Sequence, residues 1–287
     1  MSTRGPAFVR FTPVQRLEHL ALLVSFTVLA LTGLPQRYAS SAVGEWLIHL
    51  LGGIEAVRIV HRVAAVALMA ATIVHLVDVG YLVLVEKTRL SMLPRVHDLR
   101  QAWQAVRYNL GLARARPRTG RYTFEEKVEY WSLVWGTVLM IVTGFMLWNP
   151  IATSRLLPGQ FIPAAQVVHG GEALLAVLAI VVWHGYGVHL RHFNRSIFTG
   201  TMTEREMRQE HPLELEEIQA GRVPSPPEPA VRRRRLRIFV PVAAATLLAL
   251  FIGLYVFVTF EQTAIPTVPR QVPAGRAAQT TEGAARP

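Results

Sequence analysis

Five long segments of the sequence carry almost no charged residues, and this pattern constrains the fold more than any other feature. Each segment reaches the ~17–25 residues with which a helix crosses a bilayer. The first follows a short basic stretch, but no small-residue cleavage site follows it, so we expect a retained helix. The pattern predicts an all-α integral membrane protein with five transmembrane helices. The segments are about residues 14–35, 54–85, 128–150, 163–190 and 238–260.

Cysteine is absent from the 287 residues. This chain therefore holds no iron–sulfur cluster, covalently attached c-type haem, disulfide or thiol nucleophile. A redox cofactor bound here needs histidine, methionine or carboxylate ligands.

The basic residues are unevenly distributed among the connections. Lys and Arg number ten in residues 86–127 and ten in residues 191–237, but only one in each short connection on the other side. The positive-inside bias predicts that residues 1–13 and both long connections are cytoplasmic and that the tail 261–287 is external. We expect a multi-pass protein of the cytoplasmic (inner) membrane with a periplasmic C-terminus.

The net charge of +11 does not by itself indicate nucleic-acid binding. The densest basic run, residues 232–235, lies just before the last apolar segment, where such runs orient a helix or contact anionic lipid. We therefore expect membrane lipid, and no nucleic acid, as the partner of this run.

The connections indicate how the domains are arranged. Residues 14–200 are predicted to form a four-helix transmembrane domain, and residues 201–237 a charged cytoplasmic segment that ends in a proline-rich linker. The fifth span, with no histidine, is expected to serve in packing and anchoring. Smaller predicted elements are an outer amphipathic run, a helix in the basic loop and a charged helical patch, at residues 43–51, 99–110 and 203–220.

Histidines in the apolar segments are the most informative residues, because an ionisable group inside a membrane is costly and usually functional. Span two carries His61 and His75, separated on an α-helix by about 40° of rotation and about 21 Å of rise. Span four carries His169 and His184, separated by about 60° and roughly 22 Å. Two helices thus each offer a pair of imidazoles on nearly one face, at matching depths.

This arrangement suits two haems stacked across the membrane. A low-spin haem iron takes one axial ligand on each face of a flat ring, so a ring between two helices needs one imidazole from each helix at one height. His61 and His169 belong to the outer level, and His75 and His184 to the inner level. Span one adds His19, which helical rise also places at the inner level. The sequence thus predicts a haem-binding four-helix bundle with two b-type haems.

Other interpretations of these histidines remain open. A single membrane histidine more often satisfies an interhelical hydrogen bond than binds a metal, and a proton relay or a non-haem metal site also uses imidazoles. His189 lies five residues past His184, about 140° around an α-helix, so an interfacial position is expected for it. The remaining histidines are expected to be solvated or near haem propionates: His49, His97, His192 and His211.

Several short motifs occur in order along residues 10–220. They are Arg16-Leu17-Glu18-His19, Thr32-Gly33, His61-Arg62, Glu126-Lys127-Val128-Glu129-Tyr130-Trp131, His169 with His184, and Ser196-Ile197-Phe198-Thr199-Gly200. With this ordered set the sequence resembles the cytochrome b subunits of membrane-bound formate dehydrogenases and nickel–iron hydrogenases. The resemblance implies a di-haem respiratory cytochrome b that carries electrons between the quinone pool (menaquinone or ubiquinone) and an external redox partner.

The resemblance also implies site residues. In such a family the outer haem is held by the histidines that match His61 and His169, and the inner haem by those that match His19 and His184, with a quinone site beside the inner haem. His75 departs from this pattern, so both His19–His184 and His75–His184 are open as the inner pair.

Whichever of His19 and His75 is not paired with His184 would be a quinone ligand or part of a third haem with His189. The fifth span also departs from the pattern, which suggests a different outside partner, either a multihaem c-type or an iron–sulfur subunit.

Without cysteine or a large soluble domain, the chain cannot oxidise formate or hydrogen itself, so we expect the quinone-reactive subunit of an oxidoreductase complex. The alternatives are a histidine-lined proton or metal transporter and a non-redox anchor for extrinsic subunits.

Other residues have possible roles near these cofactors. Asp78 and Glu18 are candidates for quinone protonation, and Glu172 could orient His169, accept protons or bond to a neighbouring helix. Helix-ending Thr-Gly pairs close spans one and three, but such pairs are too common to indicate duplication. Haem propionates need cationic partners, and the candidates are Arg37, Arg58 and Arg62 at the outer level and Arg16 and Arg191 at the inner level. Snorkelling of these side chains to the membrane interface explains their positions equally well.

Overall fold

The computed structural model describes residues 7–191 and 193–260, without the side chains of His189 and Arg191. In order, the elements are β1 (Ala7–Val9), α1 (Pro13–Arg37), α2 (Ala42–Leu50), α3 (Ile54–Leu84), α4 (Val96–Asn109), α5 (Phe124–Trp148), α6 (Pro150–Leu156), α7 (Phe161–Leu178), α8 (Ser196–Thr199), β2 (Thr201–Thr203), α9 (Glu204–Glu210), α10 (Pro212–Gln219) and α11 (Pro229–Thr259). Five helices in these ranges are long and apolar enough to cross a membrane: α1, α3, α5, α7 with its continuation to Val188, and α11.

The first four of these helices form the bundle. α1 packs against α3, α5 packs against α7, and α1 also contacts α7, while α11 lies along α3. Apolar side chains cover the outside of the bundle, as on Val63, Val181 and Leu248, which are 64%, 67% and 63% exposed. This surface matches lipid rather than water. The predicted all-α membrane fold with a fifth C-terminal helix is therefore confirmed.

Several helices begin at capping residues outside the apolar segments. Thr12 caps α1 and Thr123 caps α5, each in a reciprocal capping box with a residue three positions later. These caps satisfy the free N–H groups of the first turn. α11 begins at Pro229, well before the predicted start at residue 238, because Pro suits the first helical position and the arginine run continues the helix.

The last helix of the bundle changes its winding. After Leu178, α7 continues as two π-helical segments, Ala179–His184 and Tyr186–Arg191. In a π-helix the hydrogen-bonded turn spans five residues instead of four. The rotation of about 140° expected between His184 and His189 assumed an α-helix and is therefore wrong. The side chain of His189 lies outside the described residues, as does all of His192, so the roles suggested for these two histidines stay predictions.

The two ends of the bundle differ, and we name them by their sequence. The basic end is where α1, α5 and α11 begin, and it carries α4 and α8–α10. The far end is where α3 and α7 begin, and it carries the short helices α2 and α6.

A small unit that the sequence did not reveal covers part of the basic end. β1 pairs antiparallel with β2, with Phe8 opposite Met202. Met202 packs with Met207 and Leu215 from α9 and α10 in a buried cluster. We call β1, β2, α9 and α10 the basic-end unit. Residues predicted to be a separate N-terminal segment and a separate charged patch are thus parts of one structure.

Buried ion pairs attach this unit to the bundle. Arg10, 2% exposed, donates to Glu214 of α10 at 2.9 Å and lies 3.6 Å from Glu126 of α5. Arg121, just before α5, donates to the other oxygen of Glu214 at 2.7 Å. Since breaking one partner of a buried ion pair leaves a charge uncompensated, this network holds the unit firmly.

His211 lies inside the same unit. It is 1% exposed, and its Nδ1 is 2.8 Å from the carbonyl oxygen of Gly120. Burial, and then the positive charge of Arg10, lower the pKa of His211 to about 4. The expectation of a solvated histidine at this position is therefore wrong, because α10 folds back onto the bundle.

Candidate functional site

Four of the membrane histidines form two facing pairs at the two ends of the bundle. His61 of α3 faces His169 of α7 near the far end, with ring centroids 6.4 Å apart. His19 of α1 faces His184 of the π-helical segment near the basic end, also with ring centroids 6.4 Å apart. We call these the far pair and the basic pair. His75 is in neither pair.

This spacing fits one metal ion between each pair of rings. Metal–imidazole nitrogen bonds are about 2.0–2.1 Å long, so two imidazoles on opposite sides of one metal have centroids about 6 Å apart. Each pair offers two donors, which suits a metal whose other four positions are filled by a flat macrocycle. The residues present therefore fit two axially ligated haems.

Threonine hydroxyls fix the orientation of the far pair. Thr32 Oγ1 is 2.9 Å from Nδ1 of His61, and Thr143 Oγ1 is 2.9 Å from Nδ1 of His169. Each hydroxyl also lies 2.6 or 2.7 Å from the carbonyl oxygen four residues earlier, on Val28 or Leu139. A hydroxyl has one proton. Because that proton goes to the backbone, the oxygen accepts from Nδ1–H, and Nε2 of each imidazole is left with a free lone pair.

The residue after each threonine gives the same rings room. A Cβ atom added at Gly33 would lie 3.0 Å from Cε1 of His61, and one at Gly144 would lie 3.4 Å from Cε1 of His169. The Thr-Gly pairs at 32–33 and 143–144 thus play equivalent parts for the two imidazoles. The repeated Thr-Gly pair at the ends of spans one and three is the sequence signal from which both supporting threonines can be found.

The basic pair is supported by a carboxylate instead. Glu129 Oε2 of α5 is 3.0 Å from Nδ1 of His184, and both side chains are 30% exposed. A carboxylate only accepts, so His184 donates through Nδ1–H and also keeps Nε2 free. Glu129 stood in a motif of the sequence, but nothing in the sequence pointed to its contact with a residue 55 positions away.

His75 belongs to a separate polar cluster beside the basic pair. Its Nδ1 is 2.9 Å from Glu18 Oε2, and its Nε2 is 3.1 Å from the hydroxyl of Tyr130. The other carboxylate oxygen of Glu18 is buried and has no hydrogen-bond partner within the described part of the chain. The structure therefore sets His19, not His75, opposite His184.

Asp78 follows His75 by three residues on α3, so the two side chains lie on one face of that helix. It also lines a pocket of ≈ 210 Å³ between α1, α3 and α11, whose other walls are apolar except for Tyr81. The two acids predicted from the sequence for quinone chemistry thus lie in one region of the bundle.

The predicted cationic residues have different surroundings. Arg58 pairs with Glu55 at 2.8 Å and is 49% exposed, while the guanidinium of Arg62 lies 4.7 Å from the ring centre of Trp148. Arg37 packs against Gly170, next to His169. Arg16 donates to the carbonyl oxygen of Phe198. The side chain of Arg191 lies outside the described residues.

Glu172 lies between the two pairs along the membrane axis. Its Oε1 would be 2.7 Å from a Cβ atom at Gly136, so α5 is close to this carboxylate because position 136 has no side chain. Along α5, residues 129, 136 and 143 approach His184, Glu172 and His169 in turn. This spacing of seven is the period at which one helix face meets a neighbour.

The fold defines a multi-pass, all-α membrane protein. A family model described as prokaryotic cytochrome b561 matches residues 10–203, and the chain belongs to that family. Membership implies a b-type haem. The resemblance predicted from the sequence is thereby confirmed.

Curated relatives include three formate dehydrogenase subunits. Over 218 residues the chain is 22% identical to the cytochrome b556(fdo) subunit of Escherichia coli K12, covering 75% of this chain and 95% of the relative. It is 19% identical over 217 residues to the nitrate-inducible cytochrome b556(Fdn) subunit of the same strain, covering 76% and 94%. It is 24% identical over 204 residues to the cytochrome b556 subunit of Haemophilus influenzae Rd, covering 71% and 80%.

Proposed function

We propose that this chain is the electron-transfer subunit of a respiratory oxidoreductase complex, in which two b-type haems carry electrons between a quinone at the basic end and a redox partner at the far end. The observation that carries the proposal is the presence of two facing histidine pairs, one at each end of the bundle. In each pair the ring centroids are 6.4 Å apart.

In this proposal His61 with His169 would hold one haem, and His19 with His184 would hold the other. Thr32, Thr143 and Glu129 bond to the Nδ1 atoms of three of them, which would leave Nε2 available to hold a metal. When bound, haem supplies one-electron transfer at two depths of a membrane that is otherwise an insulator. A hydrogen bond to the Nδ1–H of a ligand imidazole orients the ring and raises its basicity.

The quinone site lies in the cluster around His75. Glu18 has one free buried oxygen that can accept the hydroxyl proton of a quinol. His75 links Glu18 to Tyr130 through its two ring nitrogens, so a proton gained at Glu18 has a hydrogen-bonded route onward. Asp78 supplies a second acid in the adjacent pocket. This assigns His75 a proton-carrying role rather than a haem ligand's role.

The positive-inside bias supports a cytoplasmic basic end and a periplasmic far end in the inner membrane. On this assignment residues 14–200 are the haem-binding domain, residues 201–237 are cytoplasmic, and the fifth helix leads to an external tail at 261–287. The names of the similar formate dehydrogenase subunits support assembly with other subunits, and we place the redox partner at the far end, opposite the quinone. We infer that this partner carries iron–sulfur clusters or c-type haems, cofactors whose cysteine ligands this chain lacks.

The direct test is the cofactor content of the purified full chain. A pyridine haemochrome assay is expected to give two b-type haems per chain, with a low-spin bis-histidine spectrum. Folded protein without a Soret band would contradict the proposal and favour a transporter or a bare anchor. Three haems would bring His75 or His189 back as ligands and contradict the role given to His75.

The quinone site has its own test. Glu18→Gln is expected to slow haem reduction by a quinol in a stopped-flow experiment at least tenfold, without loss of haem, because Gln cannot take up the proton. Glu55→Gln, a matched change at the far end, is expected to leave the rate unchanged. Equal rates in all three proteins would place quinone elsewhere.

A further inference from the structure

The two histidine pairs differ in the charge of the groups behind them. In the far pair, both Nδ1 atoms bond to neutral threonine hydroxyls at 2.9 Å. In the basic pair, Nδ1 of His184 bonds to the carboxylate of Glu129 at 3.0 Å. Both kinds of partner hold Nδ1 at nearly the same distance, so the two pairs differ in the charge of the partner rather than in the length of the bond.

A carboxylate partner changes the electronic character of an imidazole ligand. By accepting Nδ1–H it pulls the proton away from the ring and makes Nε2 more basic, whereas a hydroxyl does this weakly. A more basic axial ligand stabilises the ferric over the ferrous state, and hydrogen bonds to ligands are among the ways in which proteins set haem potential.

We propose that Glu129 is a positioning residue that lowers the reduction potential of the haem at the basic pair through its bond to His184, an effect that the threonine-supported far pair lacks. This inference rests on the proposed function. It gives the chain two electronically distinct centres from four identical ligands.

The test is redox potentiometry of the purified, haem-containing protein. Glu129→Gln keeps the shape and an acceptor oxygen but removes the charge. At a fixed ambient potential it is expected to raise the ferrous-to-ferric ratio of one haem about tenfold, equivalent to about 59 mV for a one-electron couple. The other haem is expected to stay within about twofold of the wild-type ratio.

Two further variants assign and control the effect. Glu125→Gln removes the same charge one helical turn earlier, where the carboxylate is not bonded to His184, and is expected to change either ratio by less than about threefold. Thr143→Val alters the far pair and is expected to change only the reduction potential of the haem that Glu129→Gln leaves unchanged. The planes of the paired rings differ, at 32° in the basic pair and 69° in the far pair, so electron paramagnetic resonance is expected to resolve the two ferric signals.

The outcomes separate the two proposals. Fewer than two haems in the wild-type protein contradict the proposed function. Two haems with no rise in Glu129→Gln, or an equal rise in Glu125→Gln, overturn the role of Glu129. If Glu129→Gln retains only one haem, Glu129→Asp decides, because its shorter side chain weakens the bond but keeps the charge. A rise of about threefold then supports the inference, and no rise overturns it.

Discussion

The far and basic pairs of histidines share a spacing but differ in almost everything around them. Both have ring centroids 6.4 Å apart. The far pair lies between two regular α-helices, supported by a Thr-Gly pair on each side. The basic pair uses a ring on a π-helical segment, a carboxylate partner and a neighbouring cluster of titratable groups.

The same spacing of two imidazoles is thus built from unlike surroundings. The Nδ1 partners of the far pair are the neutral hydroxyls of Thr32 and Thr143, which suits electron transfer without protons. The basic pair adjoins Glu18, His75 and Asp78, which suits chemistry that moves protons with electrons. The asymmetry thus separates the two halves of the proposed reaction by their position along the bundle.

The largest expected effect comes from removing a ligand. Replacing either member of one pair, as in His61→Ala or His19→Ala, is expected to reduce the haem content from two per chain to one, because the haem iron loses one of its two histidine ligands. The remaining haem should keep the potential of the untouched pair. Pyridine haemochrome assays and redox titration measure both quantities.

The matched control is His75→Ala, which removes a membrane histidine outside both pairs. We expect two haems in this variant and slower reduction by quinol. Loss of a haem in His75→Ala, with retention of both in His19→Ala, would show that His75 and not His19 is paired with His184.

Lowering the pH is expected to destabilise the basic-end unit. Because the pKa of His211 is lowered to about 4 while an unfolded histidine has about 6.5, the unfolded segment binds a proton that the folded one excludes. Stability of the basic-end unit should therefore fall as the pH drops from 6.5 to 4, by up to roughly 3 kcal/mol. Hydrogen exchange in α9 and α10, corrected for intrinsic rates, measures this loss.

The control is His49→Gln, because His49 is 77% exposed on α2 at the far end and lies outside the basic-end unit. His211→Gln should flatten the pH dependence of exchange. An unchanged dependence in that variant would show that other groups open the unit.

Thr143→Val tests the neutral support of the far pair. It keeps the volume but leaves Nδ1–H of His169 without its acceptor in an apolar environment. Loss of such a support usually weakens metal binding about 10–100-fold, so haem from the far pair should transfer faster to a haem-scavenging protein. Thr27→Val, which removes a hydroxyl bonded to Leu23 on the outside of α1, should not change the transfer rate.

The smallest effect distinguishes the two glycines of the far pair. A methyl group at Gly33 would lie 3.0 Å from His61, which forces a shift, whereas at Gly144 it would lie 3.4 Å from His169, an ordinary contact. Gly33→Ala should therefore be less stable than Gly144→Ala by about 1 kcal/mol. Thermal melting followed at the Soret band measures the difference, and equal melting temperatures would mean that the two sides are equally tight.

The sequence predicted the bundle and the depths of its histidines because both follow from local rules. Hydrophobic length predicts a span, and helical rise places His61 and His169 at one level and His19 and His184 at the other. Those rules do not show which faces of different helices meet. Hence Glu129 and Thr32, which bond to histidines on other helices, were not predicted as supports.

The basic-end unit was missed for the same reason on a larger scale. Arg10 and Glu214 are 204 residues apart in sequence, and no short-range pattern connects them. The π-helical winding around His184 also escaped prediction, because its apolar composition is that of an ordinary α-helical span. In both places tertiary contacts, not local propensity, decide the structure.

The most direct test of the central claim is an electron cryo-microscopy map of the purified, haem-containing chain in a lipid nanodisc. We expect planar density between His61 and His169 and between His19 and His184, each joined to two Nε2 atoms. His61 turned away from His169, with side chains filling the space between them, would contradict it.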